Sequence, residues 1–195
     1  MPKAPTDSVL QTDAHGPVDS VDLQTLLRLF YNDSLDDLAS FESVTPDSMP
    51  PVYRQLLDHH SHMTITVESY YESPVDVTVF RTTTDPQWYG REISLVSQNS
   101  GKTVQYGIVR LRPQLLQSDV WLEIEAGRTP LGQVLISHNV FRQVERVALW
   151  KVIAGKSLAI LLGIQPGKVT YGRTARIFCD GEPAIELLEI VAPVD

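Results

Sequence analysis

Apolar positions change period several times along the chain. "LQTLLRLFY" places them at helical spacing, and Ser20 suits a cap for a helix starting near Val21. The acidic, turn-rich stretch "YNDSLDDLASFESVTPDSMPP" predicts a short helix around Leu35 to Phe41 and then a loop. "PPVYRQLLDHH" predicts a second helix with proline in its first turn. From Met63 the period drops to two. "MTITVESYY" and "VDVTVFRTT" both alternate around Ser73–Pro74, which predicts a hairpin. "REISLVSQ" and "TVQYGIVRLR" predict a second hairpin through "NSGK". "PQLLQSDVWLEIEAG" and "TPLGQVLISHN" read as helical or mixed, "FRQVERVALWKVI" as strand-like, and "KVTYGRTARIF" with "PAIELLEIVAP" as a last pair joined by "CDGE".

Hairpins with helices inserted between them point to an α+β fold, an antiparallel β-sheet with helices packed on one side. Residues 1–17 are polar and turn-forming and read as a mobile tail, leaving residues 18–195 as a single domain. A chain of 195 residues with 43% hydrophobic content can bury a substantial core. Its net charge of −8 disfavours nucleic acid and anionic membrane surfaces, although a local pocket on such a chain can still be positive. Cys179 is the only cysteine, which excludes an intrachain disulfide. The first residues carry no apolar signal-peptide core, and "SLAILLGI" is too short to span a membrane, so the expected location is cytoplasmic.

The strand "WYGREISLV" raises the main chemical question. Tyr89, Arg91, Ile93 and Leu95 share one face, with Glu92 and Ser94 on the other. The apolar face should turn inward and take a guanidinium with it, which is costly unless an anion meets it. The last strand repeats the pattern, with Glu189 among Ile185, Leu187 and Val191. Either Arg91 and Glu189 form ion pairs within the protein, or they bracket a polar ligand.

Other motifs carry less. "GKS" at Gly155–Ser157 lacks the first glycine of a phosphate-binding loop, because residue 150 is Trp150. There is no GxSxG, and Cys179 has no evident base nearby in the sequence. His59, His60 and His62 lack the i, i+4 spacing of a helical zinc pair, so no metal is expected. "GRTPLGQVL" signals a helix start, with Thr129 as cap and Pro130 in the first turn, whose free amides suit a carboxylate.

Four segments, in order, resemble the chorismate lyase family. "LLDHHSHMT" places a ligand-contacting Met63, and "WYGREISL" places the substrate-binding arginine at Arg91. "RTPLG" places Leu131, whose backbone amide contacts ligand, and "GEPAIELLEIVAP" places the functional glutamate at Glu189, four residues before Pro193. The spacing from "DGEP" departs from the family pattern by one residue, which keeps Glu186 as the alternative.

The resemblance implies a chorismate lyase-like fold enclosing its ligand between sheet and helical flaps. It implies a chorismate pyruvate-lyase that yields pyruvate and 4-hydroxybenzoate for ubiquinone, plastoquinone or related aromatic biosynthesis. Aromatisation drives that reaction, so no cofactor is expected. Arg91 and Glu189 would be catalytic, and Met63 and Leu131 would complete the substrate site. Chorismate and 4-hydroxybenzoate would be the partners of a monomer or small homo-oligomer. The alternative is a non-catalytic, effector-type module of the same fold that binds a small aromatic acid.

Overall fold

The structure, a computed structural model, describes residues 21–32 and 35–194. The tail expected over residues 1–17 and the cap at Ser20 lie outside these residues.

Helix α1 (Leu23–Arg28) starts behind Asp22, whose carboxylate accepts from the Gln24 and Thr25 amides at 3.1 and 3.2 Å. That cap fixes the start two residues past Val21. Helix α2 (Leu35–Leu38) is shorter than expected, because strand β1 (Ala39–Val44) begins at once and pairs with β5 (Arg142–Ala154). Helix α3 (Pro51–Leu57) follows a short 3-10 turn and carries proline at its start, as expected.

Met63–Tyr71 corrects the first expected hairpin, because it forms helix α4. Alternating β-branched residues there favoured a strand. Tertiary packing decides otherwise, since Met63, Thr64 and Val67 fall on one helical side and are buried together. Glu72, in the left-handed region with φ 48°, ends the helix, and the Ser73 amide closes back onto the Glu68 carbonyl. Strand β2 (Val75–Thr84) therefore pairs with β3 (Tyr89–Ser97) instead.

The remaining expectations hold. Strands β3 and β4 (Thr103–Leu111) form one hairpin, and β6 (Val169–Cys179) and β7 (Glu182–Val191) form another. Helices α5 (Ser118–Ala126) and α6 (Leu131–Ser137) lie between β4 and β5, and α7 (Lys156–Leu162) joins β5 to β6. Helix α6 begins one residue later than Thr129 and Pro130 suggested, with Pro130 itself in the cap position.

All seven strands form one antiparallel sheet in the order β1-β5-β6-β7-β4-β3-β2. The C-terminal strand thus sits in the middle, and its pairing with β4 joins the two halves of the sheet. Helices α3 to α6 cover the face carrying Arg91 and Glu189, with Leu56, Met63 and Ile124 in the packed layers. Helices α1 and α7 cover the opposite face, packing Leu26, Leu158 and Leu162 against Tyr106, Ile108, Leu188 and Ile190. This second cover explains why both alternating sets of β3 and β7 are apolar or buried: a strand enclosed on both faces loses its polar side.

Candidate functional site

The site is a cavity between the sheet and the N-termini of α4 and α6. It holds about 40 Å³ of space reachable by the centre of a water molecule. Its floor comes from adjacent strands in register. One row runs Arg91 (β3), Val109 (β4), Leu187 (β7), and the next runs Ile93, Gly107, Glu189, Arg173. Arg91 and Glu189 are therefore two residues and two strands apart, about 12 Å between Cα atoms at ordinary strand spacings. Gly107 lies between them, and a Cβ there would come within 3.3 Å of the Leu188 carbonyl oxygen and 3.4 Å of Ile93 Cδ1. The glycine keeps the middle of the floor low.

Arg91 is 1% exposed. Its Nη1 donates to the Ile124 carbonyl at 3.0 Å, while its buried Nε has no partner among the described residues. No salt bridge joins it to a carboxylate among these residues. Burial pushes the guanidinium below its ordinary value, the direction expected of a desolvated, uncompensated cation. No ion pair joins Arg91 to Glu189, which pairs with Arg173 instead, and Arg91 lines the cavity.

Glu189 lines the same cavity, and its Oε2 accepts from Arg173 Nε at 2.7 Å. Oε1 stands outside that ion pair. Arg173, itself fully buried, also donates through Nη1 to the His59 carbonyl at 2.9 Å and through Nη2 to the Ser61 carbonyl at 3.0 Å. It thereby ties the carboxylate to the loop that leads into α4. Glu186, the alternative glutamate, points to the opposite face and pairs with Arg110, so it does not line the cavity.

Met63 and Leu131 are the first residues of α4 and α6, and both line the cavity. Neither helix has a side-chain cap, so both present first-turn amides at this end. The two ends approach closely: a Cβ on Gly132 would meet Thr64 Oγ1 at 2.9 Å. Tyr89, on the same face as Arg91 but outside the cavity lining, packs edge-on against Trp121 of α5, ring centres 5.0 Å apart.

The histidine cluster is a bracket. His59 Nε2 meets the Leu56 carbonyl at 2.8 Å, and its Nδ1 faces the Ser61 amide and Arg173. Burial and Arg173 lower its pKa. His62 accepts from Arg142 Nε at 2.7 Å, and burial with that neighbouring cation pushes it down to about 4, so it is neutral near pH 7. His62 and Val144 separate the cavity from an open outer groove lined by Ile65, Phe141 and Arg142.

Two participants escaped the sequence reading. Arg173 shares an inward face with Ala175 and Ile177, and Gln105 shares one with Gly107 and Val109. The alternation test that flagged Arg91 would have flagged both.

No family model matches the chain. No curated protein matches it either. Among solved structures, it is similar to the effector domain of PhnF from Mycobacterium smegmatis, at 11% identity and a TM-score of 0.54, over 68% of this chain and 88% of that one. It is also similar to the C-terminal domain of the histidine utilization repressor from Pseudomonas syringae pv. tomato, at 15% identity and a TM-score of 0.45, over 60% of this chain and 91% of that one. At these identities the likeness is one of fold alone. The expected fold class stands: an antiparallel sheet with helices in the chorismate lyase-like arrangement. No helix among the described residues is long and apolar enough to cross a membrane.

Proposed function

We propose that this chain binds a small carboxylic acid, of the size of one substituted six-membered ring, in the cavity between the sheet and helices α4 and α6. The single observation that carries the reading is Arg91: a buried guanidinium that, among the described residues, has no carboxylate partner and an orphaned Nε, lining a cavity. A planar fork of donors matches a carboxylate in a two-pronged geometry that lysine cannot copy. First-turn amides at Met63 and Leu131 add partial positive charge on the helical side. Glu189 offers an acceptor to a hydroxyl at the far end. Gly107 keeps the floor between them clear of a side chain. An effector-type ligand-binding module is the form this reading takes first, because the fold is one that solved effector domains share.

The catalytic reading rests on a further feature. Glu189 stands diagonally across the floor from Arg91, and its Oε1 is not engaged by Arg173. Chorismate carries a ring carboxylate, a ring hydroxyl para to it and an enolpyruvyl ether on the neighbouring carbon. Loss of the proton from the hydroxyl-bearing carbon and departure of enolpyruvate leave an aromatic ring. The C–O electron pair goes with the leaving group, which takes a proton to become pyruvate. A carboxylate near that carbon would accept the first proton or orient the ring.

Titration calorimetry with 4-hydroxybenzoate tests the binding reading: micromolar affinity in the parent chain and its loss in Arg91→Met are expected. Undetectable binding in the parent would overturn it. Incubation with chorismate, followed by the absorbance of 4-hydroxybenzoate, decides between module and lyase. Turnover that depends on Glu189 establishes the lyase, and binding without turnover leaves the module.

A further inference from the structure

We infer that Gln105 is a ligand-contacting residue that selects a ring acid bearing a second hydroxyl beside the one facing Glu189. This deepens the acid-binding reading above and rests on it. Gln105 is 3% exposed, lines the cavity, and its buried Oε1 has no hydrogen-bond partner among the described residues. A buried amide oxygen left unpaired costs about 1–3 kcal/mol, so such groups persist where something else completes them.

The register says what that something is. Gln105 is opposite Val191, and Glu189 is opposite Gly107, one row nearer to Arg91. Gln105 therefore stands at the far end of the floor, diagonally beside Glu189, about 8 Å away between Cα atoms. Arg91 takes the carboxylate at one end of the ring, and the two acceptors sit side by side at the other. An amide is uncharged, so its oxygen suits a neutral donor rather than an ammonium group or a metal. A ring acid with adjacent hydroxyls, para and meta to the carboxylate, matches this triangle; a para hydroxyl alone leaves the amide oxygen unpaired.

The test compares 3,4-dihydroxybenzoate with 4-hydroxybenzoate by titration calorimetry on the full chain. In the parent protein the dihydroxy acid should bind about 5-fold tighter, the gain of one neutral hydrogen bond in a buried site. In Gln105→Leu and in Gln105→Met, two variants of similar volume, that preference should fall to unity. Equal binding of the two acids by the parent, or a preference that survives in a folded variant, overturns the role of Gln105 and leaves the Arg91 site standing. Failure of both acids to bind the parent overturns the acid-binding reading and this inference with it, whereas failure of the dihydroxy acid alone overturns only the role of Gln105.

Discussion

Arg91 and Glu92 are neighbours in the chain, and β3 sends them to opposite faces of the sheet. Both are almost wholly buried, at 1% and 2% exposure. Their surroundings differ completely. Glu92 accepts through Oε2 from Arg81 Nε at 2.6 Å and through Oε1 from the hydroxyls of both Tyr106, at 2.7 Å, and Tyr31. Among the described residues, Arg91 has one backbone carbonyl and an unpaired Nε. A buried charge with every partner supplied is structural, because the fold completes it. A buried charge without them is held by the rest of the fold at a cost, and that cost is recovered only when something binds.

The contrast can be broken in four ways, taken from the largest effect down. Arg91→Met should reduce 4-hydroxybenzoate affinity about 100-fold or more in calorimetry, since a charged two-pronged contact is lost. The same variant should leave thermal stability unchanged or raise it by about 1 kcal/mol, because an uncompensated buried cation gives way to an apolar side chain. A marked drop in melting temperature would show that Arg91 is structural after all. Glu92→Ala should do the opposite, destabilising the chain by about 3 kcal/mol in denaturant titration through two stranded tyrosine hydroxyls, with acid affinity in the folded fraction little changed.

Gly107→Val should come next. It raises the floor against Leu188 and Ile93 and should weaken acid binding about 10-fold, at a stability cost of about 1 kcal/mol. The smallest effects are those of pH. Burial raises the Glu92 carboxyl, but hydrogen bonds from Arg81, Tyr31 and Tyr106 outweigh that and hold it below its ordinary 4.5. Its stabilising contribution is therefore complete above that value and disappears as pH falls through the lower folded one. The half-buried His138, which joins α6 to Glu123 and Asp119 of α5, behaves in the reverse sense. Glu123 raises its pKa, so that link is fully present below pH 6.5 and is lost as pH climbs through the raised value. Acid and alkaline melting series on Glu92→Gln and His138→Gln would separate the two windows.

Much of this was legible in the sequence. Alternation places Arg91 and Glu189 on inward faces, and the sheet does bring both to one cavity. Met63 and Leu131 also reach it, although Met63 does so from a helix where alternation predicted a strand. The miss has a physical source: "MTITVESYY" has apolar and β-branched residues compatible with either period, and only packing against the sheet chooses. The expected one-sided helix layer is corrected by the structure, in which helices cover both faces of the sheet. Reading the cover formed by α1 and α7 requires knowing that Tyr106 and Leu188 need a partner on their own side. The spacing before Pro193 already favoured Glu189 over Glu186, and the faces of β7 separate the two, Glu186 meeting Arg110 and Glu189 meeting Arg173.

The place of β7 has a consequence for how the molecule comes into being. Before residues 182–191 are in place, β2–β4 and β1, β5, β6 are two groups of strands with no ladder between them. The last strand acts as a zipper between β4 and β6, partners more than 70 residues earlier in one case and adjacent in the other. Such a long-range closure is slow to nucleate. The cavity floor, which includes Leu187 and Glu189, is complete only with β7 in place, and without that strand the edges of β4 and β6 would be open to whatever else can pair with them.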